Sequence, residues 1–395
     1  MSEWSYKTLD QMGTISRGKS KHRPRNDARL FGGKYPFIQT GDIGAAELYV
    51  TEYSQTYNEE GLAQSKLWDK DTLCITIAAN IADTALLAFP ACFPDSIMGF
   101  VPFKEVADVK FVKYCFDILQ KDCQQISQGT AQDNLSWEKL STIMFPCPPI
   151  EIQHRIATIL SRYDTLIENY QKQIKLLEEA AQRFYKEWFV DLRFPGHENV
   201  KMVDGLPEGW ERKKLVDFAK VIMGQSPKSE YYNNENKGLP FHQGVGSYGN
   251  RFVVDDTYST SYTRIAEPNS VLFSVRAPVG RLNITKNKIV IGRGLAAMTH
   301  NQGYQSFLFY LLKERFFKDN IIGNGAIFAS ISKDELLNLE FMIPSDELIQ
   351  RFNAISRNMD DKIMKTDNQI RLLTEARDRL LPRLMGGEME LKEQI

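Results

Sequence analysis

Two short stretches concentrate the side chains best suited to grip a polyanion. Arg17, Lys19, Lys21, Arg23, Arg25, Arg29 and Lys34 fall in one stretch where Asp27 is the single acidic residue. Gly18, Pro24, Gly32 and Gly33 interrupt it, so it reads as a loop and not a helix. Arg276, Arg281, Lys286, Lys288 and Arg293 form a second stretch with no Asp or Glu between its ends. Such loops suit a phosphate backbone, which releases counterions as Lys and Arg neutralise it. Arginine can pair with guanine, and Asn or Gln with adenine, through paired hydrogen bonds to base edges. Asn26, Gln39, Gln225, His242 and Gln243 lie in corresponding loops of the two halves, and Lys228 adds a cation beside Gln225. The plain alternative is solvated surface. Recurrence of the pattern in both halves favours nucleic acid.

Reaction chemistry leaves no comparable mark. There is no Walker A loop, HExxH, GxSxG or strand-GxGxxG-helix unit, and no Asn/Asp-Pro-Pro-aromatic motif of an adenine methyltransferase. His22, His154, His197, His242 and His300 have no metal-ligand spacing. Cys74, Cys92, Cys115, Cys123 and Cys147 contain no CxxC pair and read as reduced, cytosolic thiols. A binding role without metal or cofactor is expected. Over 395 residues, 49 Lys and Arg oppose 50 Asp and Glu, which excludes a uniformly basic binder and an acidic disordered tail. Neither a signal peptide nor a membrane span is expected.

The elements that must position these loops are repeated. QIKLLEEA from Gln173 recurs as QIRLLTEA from Gln369, an offset of about 196 residues that also pairs Arg155 with Arg351, Asp164 with Asp360 and Ile167 with Ile363. At an offset of about 206, Trp4, Leu9 and Gly18 match Trp210, Leu215 and Gly224, and Pro36-Phe37-x-Gln39 matches Pro240-Phe241-x-Gln243. The chain reads as globule, helix, globule, helix, at 1–148, 149–194, 195–343 and 344–395. Each globule has short β-like runs, as at 73–77, 271–275 and 288–291, followed by helical stretches, so an α+β class with internal duplication is expected.

From Ile156, apolar residues step by four and three through Leu160, Tyr163, Ile167, Tyr170, Ile174, Leu177, Ala181, Phe184 and Trp188, a coiled-coil seam. The second copy carries Phe352, Met359, Ile363, Ile370, Leu373, Leu380 and Leu384, weakened by Ser356, Thr366 and Arg377. Pro382 predicts an early end or kink, leaving the second helix shorter. Helices of about 35–40 residues span about 50–60 Å. A pair of core helices inside one domain fits less well, since globular helices rarely run so long. Leu166, Leu176, Ile355 and Leu372 fall off the seam, as partner-docking residues or as extra coiled-coil packing.

LPEGWERKKLVDFAKVIMGQSP from Leu206, FYKEWFVDLRFPG from Phe184, and PPIEIQHRIATIL…QIKLLEEA with its second copy resemble the specificity subunit of type I restriction-modification systems. PFIQTGDI at Pro36 and NSVLFSVRAPVG at Asn269 extend the resemblance over nearly the whole chain. It implies two target-recognition domains, each reading one half of a split, asymmetric DNA site, held apart by two long helices packed as an antiparallel coiled coil. It implies double-stranded DNA and two modification subunits as partners, the latter carrying S-adenosylmethionine and methylating adenines. A restriction subunit using ATP and magnesium would join them, in the cytoplasm and away from membrane. This chain would then be non-catalytic. A spacer of about 50 Å exceeds one DNA turn of about 34 Å, consistent with separate half-sites. The competing readings are a fused methyltransferase or nuclease, a coiled-coil protein scaffold, and a stand-alone DNA-binding protein.

Overall fold

A computed structural model describes residues 4–78, 82–128, 137–203, 205–316 and 330–389, with the side chains of 121–128 and 137–138 outside the description. The chain divides into two units, residues 1–172 with 367–395, and residues 173–366.

In the first unit, a five-stranded sheet runs in the order Gly13–Arg17, Ile97–Pro102, Leu73–Thr76, Thr84–Leu87, Tyr49–Val50. Its pairs are antiparallel except the last. A four-stranded sheet orders Gln55–Tyr57, Phe31–Phe37, Ala91–Cys92 and Leu67–Trp68, with a parallel pair at its centre. The apolar run expected at 73–77 becomes a central strand buried along its length, as its unbroken hydrophobic pattern requires. Helix Val109–Gln128 follows, with Phe111, Val112, Cys115 and Phe116 in the core.

The second unit repeats the plan. Ala219–Met223, Leu295–His300, Val271–Ser274 and Leu282–Ile284 take the order of the first four strands of the five-stranded sheet. Leu239–His242 lies parallel to Ile289–Ile291, as Phe31–Phe37 does to Ala91–Cys92. Helix Gln305–Phe316 stands where Val109–Gln128 does. A two-stranded ribbon also recurs, Ser5–Lys7 with Phe145–Cys147 and Glu211–Lys214 with Glu340–Ile343. Each ribbon ends just before a long helix, Ile150–Phe189 (the central helix) and Asp346–Met385 (the C-terminal helix).

Both long helices have 40 residues, so the expected shortening at Pro382 does not occur. Proline costs one backbone hydrogen bond and crowds the preceding turn. Only three residues of helix follow it, and two of them, Leu384 and Met385, are buried in the core of the first unit. Their burial outweighs the lost bond.

Each unit contains part of both helices. In the second unit, Phe184 stacks on Phe352 with ring centroids 4.9 Å apart, while Arg251 bridges Glu178 and Asp360, so the segments pair antiparallel. Among the seam residues, Ile167 and Ile363 are fully buried; Tyr170, Ile174, Leu177, Phe184, Ile370, Leu373 and Leu380 are half-buried. Two of the polar interruptions have structural roles. Buried Ser356 bonds back to the Phe352 carbonyl at 2.9 Å, and Arg377 pairs with Asp164 at 2.8 Å. Leu166, Leu176, Ile355 and Leu372 are exposed, which removes extra coiled-coil packing within this chain as their explanation.

A buried charged hub joins each globule to its helices. In the first unit the Tyr114 hydroxyl donates to Asp164, and Arg377 reaches Asp164 and, at 3.2 Å, Glu47. In the second, Tyr310 donates to Asp360 at 2.9 Å, and Arg251 reaches Asp360 and, at 3.2 Å, Glu178. Burial opposes the charge on Arg251, but Asp360, Tyr310 and Glu178 outweigh it and tighten its hold on the proton. Burial, then the Asp164 carboxylate, keeps the Tyr114 phenol protonated.

Candidate nucleic-acid interface

The two candidate loops leave equivalent strands and are pinned by the same bonds. Gly18 donates to the Ile97 carbonyl at 2.9 Å, and Gly224 to that of Leu295 at 2.9 Å. The next residues, Lys19 and Gln225, donate to Phe93 and Ile291 at 3.1 and 2.9 Å. A Cβ at Gly18 would overlap the Pro94 and Phe93 carbonyl oxygens, and one at Gly224 that of Gly292, so only glycine permits this approach. A third pin comes from elsewhere in each unit. The Ser65 hydroxyl donates to the Lys19 carbonyl at 2.7 Å, and the Thr263 hydroxyl to the Gln225 carbonyl.

In the first loop, charges from other segments intervene. Arg25 Nη2 donates to both carboxylate oxygens of Asp95, at 2.6 and 2.9 Å. Arg23 lies 3.8 Å from Asp95 and folds back on the Ser20 and His22 carbonyls. Lys34 meets Glu59 at 3.2 Å. Asp27 accepts from Arg29 and from His22, which hold its carboxyl far below the usual range. Counting Asp27 alone therefore understates the loop's neutralisation. Among the described residues, Arg17, Lys19 and Lys21 remain exposed and outside any ion pair, and Asn26 is exposed beside them. Gln39 is exposed but donates its amide to Gln55 at 2.7 Å.

In the second unit, Gln225, Gln243 and Arg293 converge at the ends of neighbouring strands. Gly294 donates to the Gln243 carbonyl at 3.1 Å, and the Arg293 amide donates to the Ser226 hydroxyl at 3.2 Å. All three side chains are exposed. Arg276 is exposed next to Val275, whose amide bonds to the Gly294 carbonyl at 2.9 Å, so it joins this group. Lys228 sits 3.9 Å from Glu230. Arg281 is placed differently: it lines a cleft with Glu178, Tyr248, Phe309 and Lys313. His242 departs most from expectation. It is fully buried, with Nδ1 2.8 Å from the Ser247 hydroxyl and Nε2 3.0 Å from Asp255, so the imidazole offers no free edge to a base.

Residue clustering alone overlooked three positions. Lys66 follows Ser65, and Arg264 follows Thr263, so each pin carries a cation one residue on. Asp95 occupies in the first unit the place of Arg293 in the second, one residue beyond Pro94 and Gly292, whose carbonyls crowd the two loop glycines. Their signal was present in the repeat, as Ser-Lys-Leu against Thr-Arg-Ile, but it is too short to stand out alone.

All four described cysteine side chains are buried, and Cys123 lies outside the described side chains. Among the described residues, no helix is long and apolar enough to cross a membrane.

The type I restriction modification DNA specificity domain matches this chain twice, at residues 1–179 and 207–370. The putative type I restriction enzyme MjaX specificity subunit of Methanocaldococcus jannaschii is 33% identical over 267 residues, covering 66% of this chain and 63% of that protein. The MjaIX specificity subunit of the same organism is 26% identical over 412 residues, covering 99% and 94%. A type I restriction-modification S subunit from M. genitalium, known from its crystal structure, shares the fold: TM-score 0.65, 18% identity, 99% of this chain and 97% of that one. Two copies of one module, each with its pinned polar and basic loop, and the match of that module's family across both, place this chain in the type I restriction modification DNA specificity domain family.

Proposed function

We propose that this chain is the DNA-reading subunit of a type I restriction-modification assembly and catalyses nothing itself. Each unit reads one half of a bipartite duplex target, and the long helices set the separation. The observation that carries this reading is the repeated loop, held by the same three bonds in both units while its exposed side chains differ. A scaffold repeated with different side chains suits two different half-sites, and a second contact made intramolecularly raises affinity. In the first unit Arg17, Lys19, Lys21 and Asn26 face the DNA; in the second, Gln225, Lys228, Gln243, Arg276 and Arg293 do.

Modification subunits supply S-adenosylmethionine and the methyl transfer, and restriction subunits supply ATP and magnesium chemistry, all in the cytoplasm. Exposed Leu176 and Leu372, matching positions of the two repeats, are apolar points on the long helices suited to docking modification subunits. The test is a map of methylated adenines on DNA treated with this chain and its modification partner. A split asymmetric motif is expected. Exchange of residues 1–148 for those of a relative should alter one half of it alone. A map without a fixed motif, or a motif unaltered by the exchange, overturns the proposal.

A further inference from the structure

Ser65 and Thr263 donate to the carbonyls of Lys19 and Gln225, and Lys66 and Arg264 follow them directly. Neither cation falls in a basic run. Lys66 is half-buried, its ammonium 3.4 Å from the Trp68 ring centroid; Arg264 is exposed on the approach to strand Ile265–Ala266. Among the described residues, neither has a carboxylate within ion-pair distance. Their surroundings within the fold differ: Lys66 lies over Trp68, whereas among the described residues Arg264 lies over no aromatic ring. What the two units share is a positive charge, placed one residue beyond the hydroxyl that pins the reading loop.

We infer that Lys66 and Arg264 are a duplicated phosphate contact, one in each target-recognition domain, set beside the reading loop by the Ser65 and Thr263 hydroxyls. The inference rests on the DNA-reading function proposed above and adds two residues to it. A packing role explains Lys66 over Trp68 but leaves Arg264 without a reason. A shared anionic partner explains both. Lys66 also lies near Lys19, and burial together with that neighbour weakens its hold on a proton. Asp69 offsets this crowding of like charges only in part, and a phosphate between the two lysines would offset it further. Because a phosphate contact carries no sequence information, the same charge can serve both units although their half-sites differ. The hydroxyl pin fixes the cation relative to the loop, so phosphate contact and base contact keep one register.

The full chain is titrated with a mixed-sequence duplex of about 40 base pairs over a range of salt, and log affinity is plotted against log salt. Lys66→Met and Arg264→Met retain an apolar stem and remove the charge. Each is expected to reduce the slope by about 0.9, and the pair by about 1.8. Lys66→Arg should keep the parental slope, as should Lys362→Ala on the C-terminal helix. Parental slopes for both Met variants, with unchanged melting curves, overturn the inference and leave the DNA-reading function standing. Were Lys66→Met to unfold the first unit, Arg264→Met decides alone. A parent chain with no salt-dependent duplex binding overturns the function itself, and this inference with it.

Discussion

One residue past the backbone that crowds each candidate loop, the first unit carries Asp95 and the second carries Arg293. Asp95 draws Arg25 into an ion pair, whereas Arg293 stays exposed and outside any ion pair among the described residues. On the loop itself, Lys19 stands where Gln225 does. Charge has thus been redistributed over an unchanged set of pins. The hubs show the same behaviour at depth. Both join a tyrosine, an aspartate, an arginine and a glutamate, but the arginine comes from the C-terminal helix in the first unit and from the globule in the second. Backbone geometry resisted divergence because carbonyls and glycines tolerate few substitutes. Side-chain charge could move, provided each buried carboxylate kept a cation.

The largest test of this contrast is at the hubs. Arg251→Ala leaves Asp360 and Glu178 without their cation in a buried setting and should cost about 3–5 kcal/mol. Arg377→Ala, at a more open site, should cost less, about 1–3 kcal/mol. Calorimetric unfolding reads both, and equal losses would break the distinction between the hubs. Next come the pins. Gly18→Ala and Gly224→Ala should destabilise by similar amounts, about 1–3 kcal/mol each, because both force a carbonyl to move. A tolerated alanine in one unit alone would show that the loops are not equivalent.

Smaller effects are expected at the hydroxyls. Ser65→Ala and Thr263→Val should each cost about 1 kcal/mol in denaturant titrations. The least change, and the most informative in sign, is at the exchanged charges. Arg293→Ala should lower the salt slope of DNA binding by about 0.9, a three- to fourfold effect between about 50 and 200 mM. Asp95→Ala frees Arg25 and should raise the slope by a similar amount. Slopes that move in the same direction would contradict the contrast between the two edges.

The duplication and the long helices were legible from sequence because their signals are local and periodic: QIKLLEEA against QIRLLTEA, and a seam stepping by four and three. The family's segments were legible for the same reason. Pro382 was misread because the burial of Leu384 and Met385 that offsets it depends on strands and helices far away in sequence. His242 was misread likewise, since Ser247 and Asp255 close over it only after folding. Counting charges along the first loop could not reveal Asp95, 70 residues beyond Arg25, as its counterion. Lys66 and Arg264 escaped because a single cation carries no pattern until a hydroxyl is seen to place it.

The exchange at the hubs makes the order of the two globules a matter of fit. A globule bearing Glu47, transplanted onto the helical segments that carry Glu178 and Asp360, would bring three carboxylates together with no arginine among them. The reverse transplant would set Arg251 against Arg377 with Asp164 alone between them. Each globule is therefore matched by charge to the helical segments of its own half of the chain.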